Sequence, residues 1–205
     1  GDRPKYGVKS YGSNRVEGFP QIIISTVDAL SAWGVNARAA QLFRYWLQHF
    51  VQDGRITYVA TCLGEYGQLL HTASILQERA GAEGWWADGF PVLDAMAQYV
   101  LSLRAEAEQS GGLIPGPADE DVYLWFGDVG RYFHINAWLA RGLKEWADTC
   151  DRLGALPSTP PSVIREVAEA LKHDTLAAIR KTWPEDPSDL WLLPRIEPVE
   201  RPRSM

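Results

Sequence analysis

The sequence has little cysteine and no excess of basic residues, and each shortage excludes a class of function. Its two cysteines, Cys62 and Cys150, have no metal-ligand spacing, so we expect buried thiols, with a disulfide left open. The formal net charge is −6, whereas a nucleic-acid-binding protein carries a basic face. We therefore expect no nucleic-acid partner and no bound metal ion.

Long apolar runs are also missing. The longest one near the start, residues 22–24, falls far short of the roughly 20 residues that a membrane helix needs. The N-terminus shows no signal-peptide pattern, and the chain has no phosphate-binding glycine loop or nucleophile elbow. We expect no membrane partner and no cofactor, and the compartment stays open, with the cytoplasm favoured.

Apolar and aromatic residues are plentiful. Of the 205 residues, 46% are hydrophobic, and the chain has nine tryptophans and eight tyrosines. This composition is ordinary for a globular protein and supplies a substantial core. We expect one domain over residues 1–205.

Apolar residues recur at helical spacing in six segments, with almost no strand pattern between them. In the second segment, for example, Leu42, Trp46 and Phe50 share one face. The predicted helices cover about residues 20–33, 36–52, 65–79, 89–109, 130–153 and 161–183. The sequence therefore predicts an all-α fold.

Short and long links alternate between these helices. The repeated order of helix, short turn, helix and long link is typical of stacked helical hairpins. In such an array the long links lie at one end of the molecule, and links of this length are usually functional. We expect a common rim formed by residues 1–19, 53–64, 110–129 and 184–205.

The predicted rim carries residue types that bind and cleave sugars. Three consecutive acids, residues 119–121, precede a block of aromatic residues, and Glu65 comes from another rim segment. Hydrolysis of a glycosidic bond needs two carboxyl groups, and a carboxyl group beside aromatic rings has a raised pKa, which suits an acid. We expect Asp121 and Glu65 as the acidic pair, Trp125 and Tyr123 as the stacking platform, and Gln68, Arg15, Asp119 and Tyr66 as further sugar contacts.

Structural interpretations stand beside these functional ones. The acids of residues 119–121 also suit a solvated loop, and Glu65 also suits the positive end of a helix dipole. His134 is interpreted as a core histidine. The pair Trp85 and Trp86 is expected to fill space under a short turn, and Trp138 and Trp146 are expected to pack.

Three stretches together resemble the (α/α)6 six-hairpin glycosidases. Residues 65–70, followed by Trp85 and Trp86, resemble the third-helix region of that superfamily. Asp121-Val122-Tyr123-Leu124-Trp125-Phe126 is similar to the Asp-x-x-Leu-Trp-Phe motif that lines its sugar pocket, and Gly112-Leu113-Ile114-Pro115 is similar to the motif that precedes it. The resemblance is closest to the glucosidase part of glycogen-debranching-like enzymes.

The resemblance implies an inverting O-glycosidase that acts on an α-linked oligosaccharide. The sequence differs from the superfamily pattern in two respects. The turn at residues 81–83 lacks the usual aspartate, and the chain has six predicted helices where the toroid has twelve. We therefore expect part of an (α/α)6 toroid, completed by a further segment or by a second copy.

Other functions are compatible with the same layout. A sugar epimerase, a polysaccharide lyase and a terpenoid cyclase are enzymatic alternatives. The cyclase would use residues 119–121 as an aspartate-rich motif. A non-catalytic carbohydrate-binding or helical interaction fragment is the alternative without catalysis.

Overall fold

Six α-helices make up most of the computed structural model, which describes residues 19–57, 62–81, 85–117, 129–183 and 195–196. The all-α prediction is confirmed, and each predicted helix end lies within about three residues of the observed one. The helices are α1 (Pro20–Ala32), α2 (Asn36–Phe50), α3 (Gly64–Ala80), α4 (Trp86–Glu108), α5 (Phe133–Leu153) and α6 (Pro161–Lys181).

Two short antiparallel ladders join the helices. The first pairs β1 (Val51–Gln52) with β2 (Arg55–Ile56), and the second pairs β3 (Gly116–Pro117) with β4 (Val129–Gly130). The prediction that the second helix continues to Gln52 is wrong. Asp53 and Gly54 have φ values of 49° and 73°, and this left-handed Asp-Gly pair makes a tight hairpin turn that ends the helix before it.

The helices form two layers of three. α3 lies between α1 and α5, and these three make the odd-numbered layer, while α2, α4 and α6 pack against it as the even-numbered layer. The helices of the odd-numbered layer are parallel: the Asn36 amide, just after α1, donates to the Arg79 carbonyl near the end of α3 at 3.0 Å. Successive helices are therefore antiparallel hairpins.

Two glycines bring α3 and α5 into direct backbone contact. A Cβ atom at Gly67 would lie 2.0 Å from the Trp138 carbonyl oxygen, and one at Gly142 would lie 2.2 Å from the Gly67 carbonyl oxygen. Ordinary helix pairs keep axes about 8–10 Å apart. Glycine at both positions allows the closer approach, which places the first turn of α3 beside the first turns of α5.

One hydrophobic core joins the two layers. Trp46, Trp85 and Trp146 are among its largest fully buried side chains, and the Trp86 and Trp146 ring centroids are 5.5 Å apart. These positions confirm the packing interpretation of Trp85 and Trp146. Both cysteines are buried free thiols, as expected. In the part of the chain that the structure describes, no helix is both long and apolar enough to span a membrane.

The described parts of the long links contact one another at one end of the molecule. A Cβ atom at Gly116 would lie 2.9 Å from the Leu63 side chain, and an antiparallel bridge joins Tyr132 to Arg195. We call this the long-link end; its described residues are 51–57, 62–65, 109–117, 129–133 and 195–196. The opposite, short-turn end comprises residues 33–35, 81, 85 and 154–160.

Candidate functional site

The sequence-predicted site falls into two groups. Glu65, Tyr66 and Gln68 lie in the first turns of α3, at the long-link end. The other predicted contacts lie outside the described residues: Arg15, Asp119, Asp121, Tyr123 and Trp125.

The described residues that flank segment 118–128 are held next to the start of α3. Pro117 pairs with Val129 in the second ladder, and Gly116 lies against Leu63, immediately before α3. The last described residues on either side of this segment, Pro117 and Val129, therefore lie close to the start of α3.

Glu65 is 1% exposed, although glutamate is among the residues least often buried. Its backbone N–H donates to the Cys62 carbonyl at 3.1 Å, and a Cβ atom at the neighbouring Gly64 would lie 3.5 Å from Ile135 of α5. An interaction with the helix dipole alone requires no burial. The enclosed carboxyl group of Glu65 is thus more than a surface charge at a helix start.

Tyr66 makes contacts that stabilise the fold. Its hydroxyl accepts a hydrogen bond from the Ile56 N–H at 3.0 Å, and its ring lies 5.2 Å from that of Tyr99. Burial raises the Tyr66 pKa to about 12, outweighing the hydrogen bond from Ile56 that lowers it. Tyr66 therefore ties β2 to the start of α3, which is a structural role, and its sugar contact stays a prediction.

The Gly-Leu-Ile-Pro stretch begins at a buried ionic clamp. The Arg104 side chain is buried, donates to the Gly112 carbonyl and donates to the Asp174 carboxylate at 2.6 Å. Gly112 has φ 87°, and a Cβ atom there would lie 2.5 Å from both partners. Only glycine fits this position, so the motif residue is explained by the geometry that fixes the start of the link.

Asn136, which sequence reasoning missed, holds the next part of the same link. It is fully buried in α5. Its Oδ1 accepts from the Ile114 N–H at 2.8 Å, and its Nδ2 donates to the Ile114 carbonyl at 3.1 Å. An asparagine one position after Ile135, on the apolar side of a helix, was the available signal, because buried amides need partners.

The start of α5 meets the last described residues of the chain. Arg195 donates to the Tyr132 hydroxyl at 3.0 Å, with its guanidinium 5.3 Å from the Tyr132 ring centre. His134, interpreted above as a core histidine, is exposed. That interpretation is wrong because His134 lies on the side of α5 opposite to its apolar residues.

Gln68 opens a stripe of less buried residues along α3. It is half-buried, as is Ile75 two turns later, and Glu78 is exposed. On α5, Trp138 and Glu145 are also half-buried. The other helices leave this side of α3 and α5 uncovered, and we call it the open face.

A cavity of about 710 Å³ lies elsewhere, between the β1–β2 turn and α4. Asp94 in its wall accepts hydrogen bonds from the Ser158 N–H and hydroxyl, and Gln98 accepts one from Thr159. These polar groups join α4 to the link before α6, so they serve the fold.

Within the described ranges, no three His, Cys, Asp or Glu side chains are arranged to hold a metal ion. No protein-family model, curated protein or solved structure matches the chain. Function is therefore inferred from the residues of the chain itself.

Proposed function

We propose that the long-link end hydrolyses an O-glycosidic bond of an α-linked oligosaccharide, with inversion at the anomeric carbon. The observation that carries this proposal is the burial of Glu65 at the start of α3, close to the last described residues on either side of segment 118–128. That segment contains the second acid, Asp121. We infer that the fold brings these two acids, which are distant in the sequence, to the same end of the molecule.

The chemistry requires two roles from this pair. One carboxyl group protonates the leaving oxygen, and the other removes a proton from the attacking water. Glu65 is enclosed at the start of α3, and Asp121 precedes aromatic residues in the sequence, so both are candidates for the acid. In this proposal Glu65 and Asp121 share the two roles.

Recognition uses the aromatic and amide side chains of the same end. Trp125 and Tyr123 offer flat apolar faces for the C–H side of a sugar ring, while Gln68, Arg15 and Asp119 supply hydrogen bonds to hydroxyls. In this proposal the two helical layers form part of an (α/α)6 toroid. A further segment or a second copy completes the ring.

A panel of aryl α- and β-glycosides tests the proposal. Wild type is compared with Asp121→Asn and with the matched control Glu120→Gln, which neutralises the adjacent acid. We expect wild-type hydrolysis of an α-glycoside, a loss of about 10²–10⁴-fold in Asp121→Asn, and little loss in Glu120→Gln. Equal rates in wild type and Asp121→Asn would remove Asp121 from catalysis, and absence of hydrolysis across the panel would reject the proposal. The solution mass reports whether two copies associate.

A further inference from the structure

A cavity of about 320 Å³ lies on the open face, away from the long-link end. It lies between α3 and α5, and its wall includes His71, Ser74, Glu145 and Thr149. His71 follows Glu65 by six residues, or about 9 Å along the helix axis. The remaining wall residues extend further toward the short-turn end, so this cavity is separate from the proposed hydrolytic site.

A chain of hydrogen bonds fixes the imidazole of His71. Arg141 Nε donates to Glu145 Oε1 at 3.0 Å, and Glu145 Oε2 is hydrogen-bonded to His71 Nδ1. Burial of Glu145 acts to raise its pKa, but the hydrogen bonds from His71 and Arg141 outweigh this and lower it. This bond engages Nδ1 of His71, so the second ring nitrogen, Nε2, can hydrogen-bond to a ligand.

An aromatic ring, that of Trp138, lies next to the lining residues His71 and Arg141 at the edge of the cavity. Trp138 is half-buried, its ring centre lies 5.7 Å from that of His71, and the Arg141 guanidinium lies 5.4 Å from the Trp138 ring centre. The hydroxyls of Ser74 and Thr149 also line the cavity. Ser74 donates to the Leu70 carbonyl, so its oxygen still has lone pairs to offer a ligand.

The charges around the cavity are already matched. Arg141 is paired with Glu145, Asp148 is paired with Lys144 at 2.6 Å and with Arg165 at 2.9 Å, and Arg165 is also paired with Asp151. The wall also contains Glu78 and Arg152, one charge of each sign. Since neither sign is in excess, the cavity favours a neutral ligand that hydrogen-bonds through both donors and acceptors.

We propose that this open-face cavity is a second saccharide-binding site, distinct from the hydrolytic one. A neutral sugar offers an apolar C–H face to Trp138 and hydroxyl groups to His71 Nε2, to Ser74 and to the carboxylate of Glu145. The cavity volume is at the lower end of the usual range for small-molecule sites, about 300–1,000 Å³, which suits a mono- or disaccharide. This assignment does not depend on hydrolysis at the long-link end.

Titration of the ¹⁵N-labelled chain with maltose tests the assignment, with cellobiose as a second probe. The titration is made in Asp121→Asn, so that slow hydrolysis does not consume the sugar. We expect amide shifts confined mainly to residues 71–78 and 138–149. Adding His71→Phe, which keeps a ring but removes both nitrogens, is expected to weaken binding at least about tenfold, the effect of losing roughly 1.4 kcal/mol.

Two further variants test whether a loss of binding is specific to the cavity. Trp138→Leu leaves the pair of Glu145 and His71 intact and should also weaken binding. His173→Phe changes an exposed side chain on α6 and should leave binding unchanged. Failure of both disaccharides to bind, affinity unchanged in both His71→Phe and Trp138→Leu, or shifts only at the long-link end would overturn the assignment. Sugar binding at the open face without any glycoside hydrolysis would support this site and reject the hydrolase proposal. Hydrolysis without sugar binding at the open face would support the hydrolase proposal and reject this site.

Discussion

The two ends of this helical array are built differently. At the long-link end, Arg104 and Asn136 are buried polar side chains that bond to the backbone of the link after α4. At the short-turn end, Trp33 is 78% exposed and Leu156 is 90% exposed. Buried polar groups cost free energy unless they are hydrogen-bonded. The link after α4 is thus fixed by two buried side chains. At the short-turn end, buried Asp94 fixes the link before α6 through Ser158, whereas the turn after α1 leaves Trp33 exposed.

The largest expected effect comes from the helix crossing that organises the long-link end. Gly67→Ala would place a Cβ atom 2.0 Å from the Trp138 carbonyl oxygen, so α3 and α5 must separate. We expect a loss of about 3 kcal/mol or more in the free energy of unfolding, measured by urea denaturation. The matched control is Gly64→Ala, one turn earlier, whose Cβ atom would meet Ile135 at 3.5 Å. Equal destabilisation by the two changes would contradict the crossing geometry.

The next effect comes from the buried clamp. Arg104→Met keeps much of the side-chain volume but removes the donors to Gly112 and Asp174. Because Asp174 is partly exposed, we expect a cost of about 2 kcal/mol and a fall in Tm of about 4–8 °C. Lys172→Met, which removes an exposed ion pair with Glu169, should change stability by no more than about 0.5 kcal/mol. A similar Tm in the two variants would show that the clamp adds nothing.

Substitution of one asparagine at each end compares how much the hydrogen bonds of the two ends contribute to stability. Asn136→Ala leaves the Ile114 N–H and carbonyl buried without partners, and we expect a cost of about 2 kcal/mol. Asn36→Ala at the short-turn end removes one exposed hydrogen bond to Arg79, and we expect a cost below about 1 kcal/mol. Thermal unfolding of both variants checks this order. The reverse order would mean that the short-turn end is the more tightly held.

The smallest effect concerns Tyr66 and depends on pH. The Tyr66 pKa is raised from 10.0 to about 12 in the fold, so its contribution to stability is complete below pH 10 and is lost as the pH rises toward 12. At pH 8, Tyr66→Phe should cost about 1 kcal/mol, because the Ile56 N–H loses its acceptor.

Between pH 10 and 12, Tyr66→Phe should lose less stability than wild type does. Urea midpoints at pH 8 and pH 11 measure the difference. Identical falls in the two proteins would show that Tyr66 ionises equally in the folded and unfolded states, against the buried hydroxyl described here.

The helices were predictable because each carries an apolar stripe of helical period, as Ile23 and Val27 do in α1. The end of α2 was predicted two residues too late. Asp53-Gly54 indicates the turn, but the two-residue strand before it has no sequence pattern of its own. His134 was misplaced because neighbouring positions of a helix differ by about 100° in direction.

The open-face cavity was invisible to sequence reasoning for a different reason. His71 and Glu145 are 74 residues apart, and they meet only because Gly67 and Gly142 let α3 and α5 approach closely. Glu65 could be predicted as a candidate acid because it lies at a helix start on the predicted rim. Its burial could not be predicted, because it depends on the packing of α5 against α3.

The catalytic efficiency of Glu65→Gln is the most direct test of the long-link end as a hydrolytic site. On the α-glycoside that wild type cleaves fastest, kcat/KM should fall by about 10²–10⁴-fold, with an unchanged far-UV circular dichroism spectrum. Glu166→Gln, an exposed acid on α6, should stay within about twofold of wild type. Equal kcat/KM values for wild type and Glu65→Gln would contradict the assignment of catalysis to this end of the molecule.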